Sequence, residues 1–220
     1  MIIATILDES GSMSSIKEST ISGFNEFLQE RKRDIDTNEK VLTKFVKIIF
    51  NSTVKKHEYS NIDDVERLND ENYKPSGMTA LYDAIGIGLD CIKDNTNDEI
   101  WFIIITDGLE NRSMLYEKTY IKEMIQKYKK YNNWNFIFCG ANQDSYLSSR
   151  DIGMDANDTV VNFTADPVSV GQLYRGISRH VSGQGFEEEP VRTAISEQLR
   201  PVSTARPRLI RYDTGTQINI

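Results

Sequence analysis

The chain has 220 residues with a net charge of −7, 39% hydrophobic residues, two cysteines and two histidines. That length accommodates one domain with an appendage or two small domains. The acidic balance speaks against nucleic acid as the main partner, and the absence of a Cys/His cluster speaks against zinc or a disulfide framework.

Residues 2–7 (Ile-Ile-Ala-Thr-Ile-Leu) form a short apolar run bounded by turn residues, the pattern of a buried strand. The run is too short for a membrane span or signal peptide; the expectation is a soluble, cytoplasmic protein. It leads into Asp8-Glu9-Ser10-Gly11-Ser12-Met13. Asp8, Ser10 and Ser12 alternate, and Gly11 lets the chain fold back so that all three face one point. Converging oxygen donors suit a hard cation such as Mg²⁺. The same residues are also ordinary helix-capping chemistry.

Residues 14–33 read as a helix with Ile16, Thr20, Phe24, Phe27 and Leu28 on one face. A strand is expected at 41–50 and, after the turn at Asn51-Ser52, a polar strand at 53–59. Strands joined so closely are antiparallel. Lys55, Lys56, His57 and Glu58 fit an exposed edge. A short helical turn is expected at 62–68. The polar loop 69–77 then delivers Gly77-Met78-Thr79-Ala80 into a helix reaching about residue 94. Residues 99–105 are the most apolar run, as a parallel strand covered on both faces requires, and end in Thr106-Asp107-Gly108. A helix at 116–131 should bury Tyr120, Ile121, Met124, Ile125 and Tyr128. Lys127, Lys129 and Lys130 read as its solvated end. Further strands are expected at 134–139 and 159–163, with a short helix between them and a closing helix from about 167. Trp101, Trp134 and both cysteines, Cys91 and Cys139, read as core.

This alternation predicts an α/β fold: a three-layer α/β/α sandwich, Rossmann-like, with a mostly parallel sheet and one antiparallel edge strand. The domain should span residues 1–181, with a C-terminal extension at 182–220. The composition changes there: all 14 lysines lie at or before Lys130, while the last 39 residues hold five arginines, three of the five prolines and no lysine. An extended arm that adds Leu209-Ile210-Arg211-Tyr212 or residues 217–220 to a neighbour's sheet, a disordered tail, and sequence foreign to the domain all fit this composition.

In an open α/β sheet, ligands bind beyond the carboxyl ends of the strands where strand order reverses. If the first strand is central, the loops at Asp8–Ser12 and Asp107 become neighbours there, with Thr79 at the start of the intervening helix. The set Asp8, Ser10, Ser12, Thr79 and Asp107 resembles the von Willebrand factor A domain and its metal-ion-dependent adhesion site, Asp-x-Ser-x-Ser with a distant Thr and a distant Asp. The likeness covers residues 1–181 and is greatest to small intracellular bacterial and phage members; the segment 135–144 also looks like their fifth strand.

The resemblance implies a metal-dependent protein-protein interaction module. Its Mg²⁺, with Mn²⁺ as a substitute, would take a Glu or Asp of a partner protein, and no membrane or nucleic acid would be involved. Calcium fits less well because it wants more oxygens. The helix after Ser12 should favour an incoming anion at its N-terminus. Glu9, Met13, Tyr73 and Met78 are the expected partner-facing rim, although Tyr73 and Met78 also fit loop packing, and alternation turns Glu9 away from the Asp8 side. The alternative is a structural or assembly subunit, of a phage or a multiprotein complex, using the sheet scaffold or the C-terminal arm; a phage origin would allow a virion location. A hydrolase is disfavoured. An aspartyl phosphatase would want Asp at position 10, Gly-x-Ser-x-Gly is absent, and only His57 and His180 could act as bases.

Overall fold

The computed structural model describes residues 1–37, 43–94, 97–131, 133–141, 145–155 and 158–184. The described residues all fall within one compact unit. The expected C-terminal arm lies outside the described residues, apart from 182–184.

Six strands form one sheet: β1 (Ile2–Asp8), β2 (Lys44–Phe50), β3 (Val54–Tyr59), β4 (Ile100–Thr106), β5 (Trp134–Ala141) and β6 (Thr159–Phe163), in the order β3-β2-β1-β4-β5-β6. Every pairing is parallel except β2 with β3. Polarity follows position in the sheet. β1 and β4 are buried along their whole length, as central parallel strands covered on both faces must be. β3 is exposed along most of its length. Its run of Lys55, Lys56, His57 and Glu58 blunts the open edge.

The helices are α1 (Lys17–Thr37), α2 (Leu81–Ile92), α3 (Lys118–Tyr128), α4 (Ser145–Asp151) and α5 (Pro167–Val181). Strand periodicity assigns them to layers. Odd-numbered side chains of β1, β2 and β4 (Ile3, Leu7, Phe45, Ile49, Ile103, Ile105) join Phe24, Phe27 and Leu28 of α1 and Leu173, Tyr174 and Ile177 of α5 in one core. The helices of that layer meet closely: a Cβ on Gly23 would stand 2.3 Å from the Tyr174 ring. On the other face, Gly88 brings α2 against Ile6, Ile48 and Phe102. The Trp134 ring stacks there between Tyr128 and Phe136. The result is the expected three-layer sandwich.

Several local expectations need correction. The chain after Ser12 is a 3-10 helix, Gly11–Ile16, and α-helix begins only at Lys17. The Met13 N–H already bonds the Ser10 carbonyl at 3.1 Å, so no α-helical N-terminus sits directly at Ser12. On α3 the buried side chains are Ile121, Ile125 and Tyr128, whereas Tyr120 is 40% exposed. Cys139 is buried but Cys91 only partly so. Lys129 is no free solvated end; it ion-pairs with Asp155 and Asp158.

Candidate metal centre

The strand order reverses between the parallel neighbours β1 and β4, and the loops leaving these two strands carry the acidic residues. Asp8, the last residue of β1, is fully buried. Its Oδ1 accepts the Ser10 N–H at 2.7 Å and its Oδ2 accepts the Thr106 hydroxyl at 2.5 Å. Ser12 Oγ donates to Asp107 Oδ1 at 2.5 Å. Ser10 and Ser12 Oγ lie 3.0 Å apart. Thr79 Oγ1 reaches the same place from the start of α2. A Cβ on Gly108 would stand 3.1 Å from Thr79 Oγ1 and 3.6 Å from Ser12 Oγ, so a side chain at 108 would intrude between the hydroxyls. All five sequence-selected donors, Asp8, Ser10, Ser12, Thr79 and Asp107, therefore converge at one end of the sheet. Ser12 is exposed and Asp107 half-buried, whereas Ser10 and Thr79 are buried, so the cluster opens to solvent on the Ser12–Asp107 side.

The electrostatics are lopsided. Burial raises the Asp8 carboxyl to about 6, opposed by the hydrogen bonds from Thr106 and Ser10 and reinforced by the charge of Asp107. Burial also raises Asp107, opposed by the Ser12 hydroxyl. Among the described residues no Lys or Arg forms an ion pair with either group. Two desolvated carboxylates without a counter-charge are a standing cost that a cation would relieve. Among the described residues no group of three or more His, Cys, Asp or Glu is arranged to hold a metal ion. The donors here are instead two carboxylates and three hydroxyls. That all-oxygen set suits Mg²⁺, which keeps several waters and needs few protein carboxylates.

Three of the four expected rim residues lie in the interior. Met13 is 1% exposed and packs in the core. Tyr73 is 0% exposed and donates its hydroxyl to the Asp8 carbonyl at 2.6 Å; burial of its ring outweighs any surface role. Glu9 is 1% exposed. It turns away from the hydroxyl cluster, as alternation implies, and accepts from Lys55 Nζ at 2.8 Å and from the Lys74 N–H. Only Met78, 45% exposed, stands at the surface.

Glu9 instead shapes the site from behind. Its carbonyl accepts the Ser76 N–H at 2.9 Å, and Gly11 N–H bonds the Gly77 carbonyl at 3.1 Å. Together with the Glu9 carboxylate these contacts lay the 73–77 loop along the Asp8–Ser12 loop. Gly77 makes the turn at φ 75°, a backbone that L side chains resist. The Met78 N–H then bonds Ser52 Oγ at 2.9 Å, and Ala80 N–H bonds the Asn51 carbonyl at 2.8 Å. Thr79 is thereby held between the β2–β3 turn and the β4 loop.

Sequence reasoning assigned no role to Thr106 or Asn111. Thr106 fixes Asp8 Oδ2, and its place directly before Asp107 at a strand end was the available signal. Asn111 Oδ1 accepts the Thr79 N–H at 2.8 Å, and its own N–H bonds the Thr79 carbonyl at 3.0 Å. No short-range pattern marks that pairing.

No protein-family model and no curated protein matches the chain by sequence. Solved structures do resemble it. A von Willebrand factor type A protein from Catenulispora acidiphila is 16% identical with a TM-score of 0.55, covering 80% of this chain and 41% of that one. Proximal thread matrix protein 1 from the mussel byssus, with a zinc-occupied metal-ion-dependent adhesion motif, is 15% identical with a TM-score of 0.55, over 79% of this chain and 46% of that one. The conserved hypothetical protein BatB from Bacteroides thetaiotaomicron is 13% identical with a TM-score of 0.52, over 83% and 97%. The chain thus spans less than half the length of the first two. At these identities the likeness establishes a von Willebrand factor A-like fold. Among the described residues no helix is long and apolar enough to cross a membrane.

Proposed function

We propose that this protein is a metal-dependent protein-interaction module, in which a divalent cation at the end of the central sheet receives an acidic side chain of a partner. The observation that carries the reading is the convergence of Asp8, Ser10, Ser12 and Asp107, with Thr79 beside them, around two carboxylates that lack a counter-charge. The hydroxyls of Ser10, Ser12 and Thr79 would supply neutral oxygens, and Asp8 and Asp107 the charge. When bound, the cation supplies a Lewis-acidic centre that accepts an outside carboxylate oxygen. The solvent-facing side at Ser12 and Asp107 leaves that approach open. Thr106 and the Ser10 N–H hold Asp8 in one orientation, so the donors need little reorganisation.

The zinc-occupied motif of the mussel protein supports a divalent metal in this kind of fold. The oxygen-only donors of this chain favour Mg²⁺ or Mn²⁺ over zinc, which takes His and Cys ligands. Binding is favoured over hydrolysis because a hydrolase would need a free acid–base group at the site, and Glu9, the acidic residue next to Asp8, is buried and engaged by Lys55. The free thiols Cys91 and Cys139 support a reducing, cytoplasmic setting.

The test is capture of native partners by the full chain in Mg²⁺, in EDTA, and with Asp107→Ala. Partners retained only by the wild type in Mg²⁺ are expected. Identical capture in all three arms would sink the reading.

A further inference from the structure

The segment after Asp107 combines two properties that rarely coincide. It has little regular structure, yet its backbone is riveted to α2. Glu110 accepts the N–H groups of Tyr82, Arg112 and Ser113 at 2.9, 2.7 and 2.6 Å. Asp83, in the first turn of α2, accepts those of Met114, Leu115 and Tyr116 at 2.9, 2.8 and 2.9 Å. Tyr116 then lies against Gly86 and donates its hydroxyl to Asp90 at 2.6 Å. Together with the Thr79–Asn111 pair, these bonds fix the loop along two turns of the helix.

On this fixed backbone large apolar side chains point into water. Leu109 is 60%, Met114 78% and Leu115 72% exposed, and Met78 stands beside Thr79 at 45%. A loop that merely connects elements is ordinarily polar or mobile. Apolar groups displayed on a rigid frame lose little entropy when covered, which is the property of a prepared docking surface. Arg112 is exposed on the same loop, and its guanidinium has no ion-pair partner among the described residues.

Resting on the reading of the site as a cation centre, we infer that Met78, Leu109, Met114 and Leu115 with Arg112 select the partner: a protein segment whose metal-binding Asp or Glu is flanked by large apolar residues. The charge complement is consistent. The cation and Arg112 both call for acidic groups, while the rest of the loop surface calls for aliphatic ones. A basic segment would be repelled by Arg112, and a purely polar one would leave the leucines uncovered.

The test pans a random dodecapeptide phage library on the immobilised full chain in Mg²⁺, in EDTA, and on a Leu109→Ser/Leu115→Ser variant in Mg²⁺. Both leucines are exposed, so the variant should keep the wild-type melting temperature. The wild type in Mg²⁺ should enrich peptides with Asp or Glu beside Leu, Ile, Met or Phe. The variant should keep the acidic preference, lose the apolar one, and bind the wild-type-selected peptides about tenfold more weakly. An acidic preference with no apolar flank, the same peptides from the variant, or no enrichment at all would overturn the inference. Enrichment indifferent to EDTA would overturn the cation reading as well. Mg²⁺-dependent self-association in sedimentation velocity would assign the surface to a second copy of the chain and likewise overturn it.

Discussion

Asp8 carries the largest electrostatic cost of the site, and the sign of its pH dependence follows from its burial. Its carboxyl is raised from 3.8 to about 6 in the folded chain. Between these values the folded state holds a proton that the unfolded state has released. The metal-free protein therefore loses stability as pH rises through that window, by on the order of 3 kcal/mol once above it; thermal melts in EDTA from pH 4 to pH 7 measure the loss. A cation needs the deprotonated form, so Mg²⁺ affinity should fall about tenfold per pH unit below about 6, and a flat profile would remove Asp8 from the ligand set. Behind Asp8, Tyr73→Phe deletes one buried hydrogen bond and should cost about 1 kcal/mol in urea unfolding. Glu9→Ala leaves the Lys74 N–H without its acceptor and Lys55, half-exposed, without its partner. It should cost about 1–3 kcal/mol and weaken Mg²⁺ binding several-fold by loosening the 73–77 loop. A variant as stable as wild type would contradict the role given to Glu9.

Loops, more than helices and strands, set the geometry of the site. Gly77 turns the chain toward Thr79 at positive φ, and a Cβ there would stand 2.7 Å from Ser52 Oγ, the acceptor for Met78 N–H. Gly77→Ala should therefore destabilise by about 1–3 kcal/mol and weaken metal binding; unchanged calorimetric affinity would show that Thr79 does not depend on this turn. The regular elements were legible in sequence because their signals are local. The 3.6 periodicity of Ile16, Thr20, Phe24, Phe27 and Leu28 and the unbroken apolar runs of β1 and β4 are decided by burial alone. The five donors could be brought together by strand order plus the resemblance. Loop packing of Tyr73 and the turn of Glu9 away from Asp8 were also within reach of the sequence, whereas the burial of Met13 was not. Nor were the long-range partners that hold the other two: Lys55 from an edge strand for Glu9, and a carbonyl 65 residues earlier for Tyr73. The same holds for Glu110, Asn111 and Asp83, ordinary loop and helix polar residues in sequence, whose carboxylates and amide define how the 107–116 segment lies.

For the whole molecule, the sheet holds two desolvated carboxylates at its switch point, and folding is linked to whatever neutralises them. At a free Mg²⁺ concentration about a hundredfold above Kd, binding to the native state alone contributes about 2.7 kcal/mol, which for a chain of this size raises Tm by roughly 5–10 °C. The gain should be large at pH 8 and small at pH 5, following Asp8. The most direct measurement is isothermal titration calorimetry of Mn²⁺ and Mg²⁺ into the full chain and into Asp107→Ala. The wild type should show a single divalent site that Asp107→Ala abolishes, while the variant's melting temperature in EDTA does not fall. No binding by the wild type, or equal binding by both proteins, would contradict it.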